Sequence, residues 1–186
     1  KVVKRALKRD QHDKCAFCEA IFDANVAGDV EHYRPKGAVN SGAEIILPGY
    51  YWRGYEWINL CYACPDCNGS RKRTHFPLAE EAARALDHHE DIEIEEPLLL
   101  DPYGPRDPRD HIQFVGEMPV GSTDAGEKTI KILGLDRTAL SRDRLDHLRM
   151  LTTMSEIVEV LGESDIPNAI GIVARARALL AAAILP

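Results

Sequence analysis

Three observations predict an α+β chain. Four cysteines fall in two Cys-x-x-Cys pairs, Cys15/Cys18 and Cys64/Cys67. Short apolar segments bounded by turn residues read as strands, and the C-terminal half carries long stretches with apolar residues at helical spacing. At 186 residues the chain can bury one core with an appended lobe. Its 45% hydrophobic and 28% charged content is ordinary for a soluble globular protein. No apolar run approaches the roughly 20 residues of a membrane helix, so no membrane association is expected. The opening, Lys1 to Asp10, is charged and lacks the apolar stretch of a secretory signal. The chain starts without Met, so a few preceding residues are expected.

Taken in order, Lys1 to Arg9 places Val2, Val3, Ala6 and Leu7 at helical spacing. After the first cysteine pair, Asp29 to Tyr33 reads as a short strand ended by Pro35 and Gly37. Asn40-Ser41-Gly42 and Pro48-Gly49 are turns flanking Ile45 to Leu47. Tyr50 to Leu60 holds five aromatic residues in eleven, which marks the centre of the first core. Pro65 suits the first turn of a helix at the second cysteine pair, and Gly69 makes that helix short or loose. Leu78 to His89 reads as an acidic amphipathic helix. Asp91 to Leu100 is expected to be a strand, with an ordered proline-rich loop from Asp101 to Pro108. His111 to Val115 is a further strand and Glu117 to Gly126 is turn-rich. Ser122 or Thr123 can cap a helix running to Leu133 that Gly134 ends. Leu140 to Leu161 is the longest helical segment, and Pro167 to Leu185 a last alanine-rich helix.

Paired thiols at this spacing suit a tetrahedral zinc, because each Cys-x-x-Cys knuckle presents two sulfurs at one bite angle. A closed four-sulfur site leaves no position for substrate, so this zinc is expected to be structural. Thiols reserved for metal imply a reducing compartment, hence the cytoplasm. Cys61 is left over and reads as a small buried thiol, with an alternative-ligand role disfavoured by its spacing.

The formal net charge is −7, unevenly divided. Residues 1–78 hold 12 Lys and Arg against 9 Asp and Glu, a formal +3, and residues 79–186 hold 11 against 21, or −10. The mild basicity of the first part limits non-specific affinity for DNA, which comes mainly from phosphate neutralisation, and suggests that a partner supplies part of the grip.

In combination, Cys15-x-x-Cys18, Glu31-His32-x-x-Pro35, Trp57-Ile58-Asn59-Leu60 and Cys64-x-x-Cys67-Asn68-x-x-x-Lys72 resemble an HNH endonuclease with a zinc-stapled ββα-metal finger. Val30 to Lys36, Tyr51 to Leu60, His75 to Leu78, Pro97 to Tyr103 and Thr129 to Leu135 resemble more narrowly the HNH proteins of bacterial anti-phage systems. These are the Septu type and retron-associated relatives, encoded beside an ABC-type ATPase. The resemblance runs from about Lys14 to Arg144. It implies a DNA-cleaving effector working with such an ATPase.

Cutting a phosphodiester needs a nucleophilic water, a base to deprotonate it and a cation to neutralise charge on the phosphate and leaving oxygen. His32 is the expected base. Glu31 and Asn68 offer oxygens to a catalytic Mg²⁺ or Mn²⁺, with Asp29 as a fallback for Glu31. The family pattern more often has Asp where Glu31 stands, and the extra methylene changes the reach to metal. Adjacent strand residues point oppositely, so Glu31 and His32 need a bend or strand end to act together. Asn59 matches the family asparagine that orients the catalytic loop. Arg34, Lys36, Arg71, Lys72 and Arg73 are candidate phosphate contacts, with a solvated helix face as the plainer reading of the last three. His75 can serve the metal or lie at the surface. The aromatics of Tyr50 to Trp57 are expected in the core more than stacked on bases.

The expected organisation is an HNH unit over residues 1–78 and a mainly helical accessory lobe over residues 79–186, a possible partner-docking surface. The competing reading is a zinc-stabilised nucleic-acid-binding or adaptor module with weak or lost catalysis. A third is a standalone HNH nuclease without an ATPase.

Overall fold

The computed structural model describes residues 1–22, 27–162, 171 and 173–178. The fold is α+β, built from short elements. Helix α1 (Val2–Asp10) is amphipathic and buries Leu7 against Leu60 and Tyr62, with Phe22 and Val30 packed around them. Strand β1 (Asp29–His32) pairs antiparallel with β4 (Leu60–Ala63), in the register Asp29↔Ala63 to His32↔Leu60. Between them in sequence, β2 (Val39–Asn40) and β3 (Ile45–Ile46) make a small hairpin. All four residues of β4 are buried, so its free edge must be satisfied. Gln11 does this, accepting from Tyr62 N–H at 2.6 Å and donating to the Tyr62 carbonyl at 2.8 Å.

After β4 the chain enters helical turns over Asp66–Lys72 that are wider than an α-helix. The Arg73 N–H reaches the Asn68 carbonyl, five residues back, at 2.9 Å. Such π-type turns are rare and concentrate at functional sites. The expected helix at the second knuckle is therefore present in a loosened form.

A second apolar cluster gathers Tyr33, Tyr50, Phe76 and Leu99, all buried. The Tyr33 and Tyr50 rings meet Phe76 edge-on at 5.1 and 5.5 Å, and the Tyr33 hydroxyl donates to the Leu99 carbonyl at 2.6 Å. Within this cluster lies a charged network. Arg34 pairs with Glu95, which also accepts from the Tyr50 hydroxyl and the Ala85 N–H. Arg84 donates to the Tyr50 hydroxyl and the Phe76 carbonyl.

This network explains why the helix expected over Leu78 to His89 does not form. Glu81 turns back to accept from the Leu78 N–H and the Arg84 guanidinium, and Arg84 points inward. Only a single 3₁₀ turn, Glu81–Ala83, remains. The strand expected from Asp91 likewise gives a 3₁₀ turn, Ile92–Ile94, with one isolated bridge from Leu78 to Pro97.

Strands β5 (Ile112–Val115) and β6 (Met118–Gly121) pair in a third two-stranded sheet. Helix α2 (Asp124–Leu133) starts at Thr123, whose side chain accepts from the Gly126 N–H, and ends at Gly134 in the left-handed conformation (φ 54°). A Cβ at position 126 would lie 1.9 Å from the His111 carbonyl oxygen, so only glycine allows that approach.

The chain divides into two compact units. One comprises Lys1–Val115 and Pro119–Arg137; the other comprises Gly116–Met118 and the chain from Thr138 on. The first unit thus continues well past Leu78. In the second, α3 (Thr138–Gly162) buries Leu140 and Val158 and leaves Leu148, Met150 and Ile157 exposed. The expected helix from Pro167 to Leu185 lies largely outside the described residues; 173–178 are helical and Val173 is buried. Among the described residues no helix is long and apolar enough to cross a membrane.

Candidate functional site

The four paired cysteines converge. Cys15 and Cys18 sit on a loop closed by the Lys14–Ile21 bridge and by the Glu19 N–H donating to the Cys15 carbonyl. Cys64 follows β4, and Cys67 lies on the Asp66–Lys72 turns. All four sulfurs fall within 4.8 Å of one another. Tetrahedral Zn–S bonds of about 2.3 Å would put sulfurs roughly 3.8 Å apart, and Cys18 Sγ lies 3.9 Å from Cys64 Sγ. The donor set and its spacing can hold a zinc ion. Cys61 stands apart, buried opposite Glu31 on the β1–β4 ladder, where burial pushes its thiol well above the ordinary range.

His32 is the last residue of β1, the strand end that the Glu31-His32 pair required. Its Nε2 lies 3.0 Å from the Gly54 carbonyl oxygen. A carbonyl only accepts, so Nε2 carries the proton and the lone pair is on Nδ1. Burial lowers the imidazole pKa from 6.5; Lys36 and Lys72 add to this, against the Gly54 carbonyl and Glu31. His32 is therefore neutral at pH 7 and able to accept a proton.

Asn59, 2% exposed, holds this arrangement from beneath. Its Oδ1 accepts from the Arg34 N–H at 2.7 Å, and its Nδ2 donates to the carbonyls of Arg34 and Arg53 at 3.1 Å each. Its own carbonyl accepts from the Tyr33 N–H at 2.9 Å. One side chain thus ties the segment after His32 to the segment whose next carbonyl, that of Gly54, holds the imidazole.

Glu31 is placed differently from a free metal ligand. Lys72, fully buried, donates from Nζ to Glu31 Oε1 and to the His32 carbonyl, both at 2.8 Å. Asn68 lies one turn earlier on the same helical segment, and among the described residues no hydrogen bond engages its side-chain amide. Asp29, the fallback, is exposed at the far end of β1 and pairs with Lys4 at 3.5 Å.

The five expected phosphate contacts separate. Lys72 and Arg34 are buried ion-pair members facing inward, which corrects their expected surface role; each satisfies a buried carboxylate. Arg71 packs over Gly134, where an added Cβ would lie 2.0 Å from its Nη1. Lys36 and Arg73 are exposed and, among the described residues, make no ion pair. His75 is half-buried, bridging to Asn40 by its backbone. The aromatic segment also divides: Tyr50 is buried, whereas Tyr55 is 100% exposed and Trp57 47%. Core packing therefore accounts for only part of it.

Two roles at this site were not legible in the sequence. Lys72 was visible as a cation after Asn68, but not as the partner of Glu31. Arg137 places Nη2 3.5 Å from Cys18 Sγ and 3.8 Å from Cys67 Sγ, and nothing local marks it.

Over 148 residues the chain is 39% identical to the Septu protein PtuB of Bacillus mycoides (strain KBAB4), a match covering 76% of this chain. It covers 49% of that protein, so the chain spans about half the length of the curated relative it matches. No family model and no solved structure matches the chain.

Proposed function

We propose that the chain is a metal-dependent HNH endonuclease that hydrolyses DNA phosphodiester bonds, with β1, β4 and the Asp66–Lys72 turns forming its ββα-metal finger. The observation that carries this reading is His32 at the end of β1, with its Nε2–H tied to the Gly54 carbonyl and the Nδ1 lone pair left to accept a proton. In this role Nδ1 takes the proton of the attacking water. Asn59 keeps the imidazole in the correct tautomer by fixing the backbone on both sides. Lys36 and Arg73 are the exposed cations suited to flanking phosphates, and Tyr55 and Trp57 offer ring faces to bases.

The second oxygen of Glu31 and the amide oxygen of Asn68 are hard donors that suit Mg²⁺ or Mn²⁺, leaving positions for water and phosphate. The bound ion would neutralise charge on the phosphate and leaving oxygen. Because Lys72 cancels the charge of Glu31, the protein ligands are together neutral. Tight metal binding then calls for the substrate phosphate as a further ligand.

Similarity to a Septu protein supports a place in anti-phage defence. The ABC-type ATPase partner and the cytoplasmic compartment belong to the same proposal and rest on the motif resemblance and on thiols reserved for metal. The second reading, a zinc-stabilised binding or adaptor module without catalysis, is favoured by the engagement of Glu31 with Lys72.

The test is cleavage of supercoiled plasmid with Mg²⁺ or Mn²⁺ by wild type and His32→Ala, each alone and with the ATPase. Cutting by wild type that is lost in the variant supports the nuclease. No cutting in any combination by zinc-loaded protein favours the binding module.

A further inference from the structure

We infer that Arg137 completes the outer shell of the four-cysteine centre, making the C-terminal end of α2 a determinant of how firmly that centre retains zinc. Four thiolates around Zn²⁺ carry a net charge of −2, and enclosing that charge requires donors directed at the sulfurs. The backbone supplies some: the Cys64 N–H lies 3.3 Å from Cys15 Sγ, the Cys67 N–H 3.4 Å from Cys64 Sγ, and the Ala20 N–H addresses Cys18. Arg137 Nη2 reaches one sulfur from each knuckle, at 3.5 Å (Cys18) and 3.8 Å (Cys67). Every sulfur thereby accepts an N–H. The knuckles supply the backbone donors, and a residue 70 positions beyond Cys67 supplies the side-chain donor.

The guanidinium is held for this task. Nη1 donates to the carbonyls of Leu133 and Gly134 at 3.3 and 3.2 Å, while Nε faces Asp66 at 3.9 Å. The side chain is 10% exposed, so water screens its charge little. A planar fork can address two sulfurs and two carbonyls at once, which the compact ammonium of lysine cannot. The left-handed turn at Gly134 (φ 54°) that brings Arg137 back to the knuckles is the backbone conformation glycine adopts without a Cβ penalty. Arg137 is a positioning residue in this scheme and touches no substrate.

The inference rests on zinc occupying the four cysteines and is independent of whether the chain cuts DNA. Zinc content by atomic emission in every sample separates the two: wild type without zinc overturns the inference itself, whereas zinc-loaded wild type that cuts no DNA overturns only the nuclease reading. The experiment is the rate at which excess chelator removes zinc, followed with a zinc-sensitive dye, for wild type, Arg137→Met and Arg137→Lys. In parallel, the sulfur-to-metal charge-transfer band of the cobalt-substituted proteins is recorded. Arg137→Met is expected to release zinc about tenfold faster or more, the usual scale for an outer-shell loss, and to shift the cobalt band. Arg137→Lys should fall between the two. Release at the wild-type rate with an unchanged cobalt band would overturn the inference, as would equal acceleration in both variants. Should Arg137→Met not accumulate as folded protein, wild type against Arg137→Lys suffices: equal release rates and equal spectra refute the two-sulfur contact.

Discussion

Lys72 and Glu31, 41 residues apart, form a buried ion pair at 2.8 Å that joins the helical turns of the second knuckle to β1. The same ammonium caps the His32 carbonyl at 2.8 Å, so one cation fixes the register of the strand that carries the candidate base. Removing it leaves a carboxylate buried without its counter-charge. Lys72→Met should therefore cost about 3–5 kcal/mol, and Glu31→Gln in the same chain should restore most of it. Urea unfolding of the two single variants and the double variant measures the coupling; additive losses would mean the pair stabilises nothing.

The pH profile of cleavage follows from His32. A base works only when unprotonated, and burial lowers this imidazole from 6.5. The rate should be level near neutrality and fall only as pH drops through a value below 6.5. Single-turnover rates across this range provide the check; a limb above 6.5 would point to a different base.

Lys36 and Arg34 are two positions apart but should respond in opposite ways. Lys36→Ala should change stability by no more than about 0.5 kcal/mol and reduce the salt slope of DNA binding by about one. Arg34→Ala strips the buried Glu95 of its cation and should destabilise by about 3 kcal/mol or more. Thermal melts and salt-dependent binding assays on both variants distinguish a phosphate contact from a core cation.

Cysteine substitution should separate the ligands from the bystander. Cys64→Ser removes one of the four clustered sulfurs and should lose zinc along with the folded first unit. Cys61→Ser, outside the cluster, should retain one zinc per chain. Metal analysis after dialysis reads both outcomes, and zinc loss from Cys61→Ser would reassign the centre.

What the sequence made legible was local. The Thr123 cap and Gly134 stop bound α2, α3 spans the expected Leu140 to Leu161, and paired spacing identified the four cysteines that meet. Each of these signals is itself short-range: a cap, a stop, a helical period or a two-residue gap between ligands. The errors share the opposite property. Arg34 and Lys72 looked like surface cations because their partners, Glu95 and Glu31, are 61 and 41 residues away. The acidic stretch after Leu78 looked helical because nothing in its periodicity shows Arg84 turned inward to Tyr50, 34 residues away. A buried charge is specified by its partner, and residue type alone does not announce it.

The distance from Cys67 to Arg137 also has a meaning in time. At about 5–20 residues per second, a ribosome that has finished the second knuckle needs roughly 4–14 s to add the next 70 residues. Throughout that interval the emerging chain holds all four sulfurs but lacks the guanidinium that two of them accept. On the inference that Arg137 secures a zinc held there, firm metal loading would belong to the end of this unit's synthesis, and a product cut short before α2 would carry a complete set of ligands without their outer clamp.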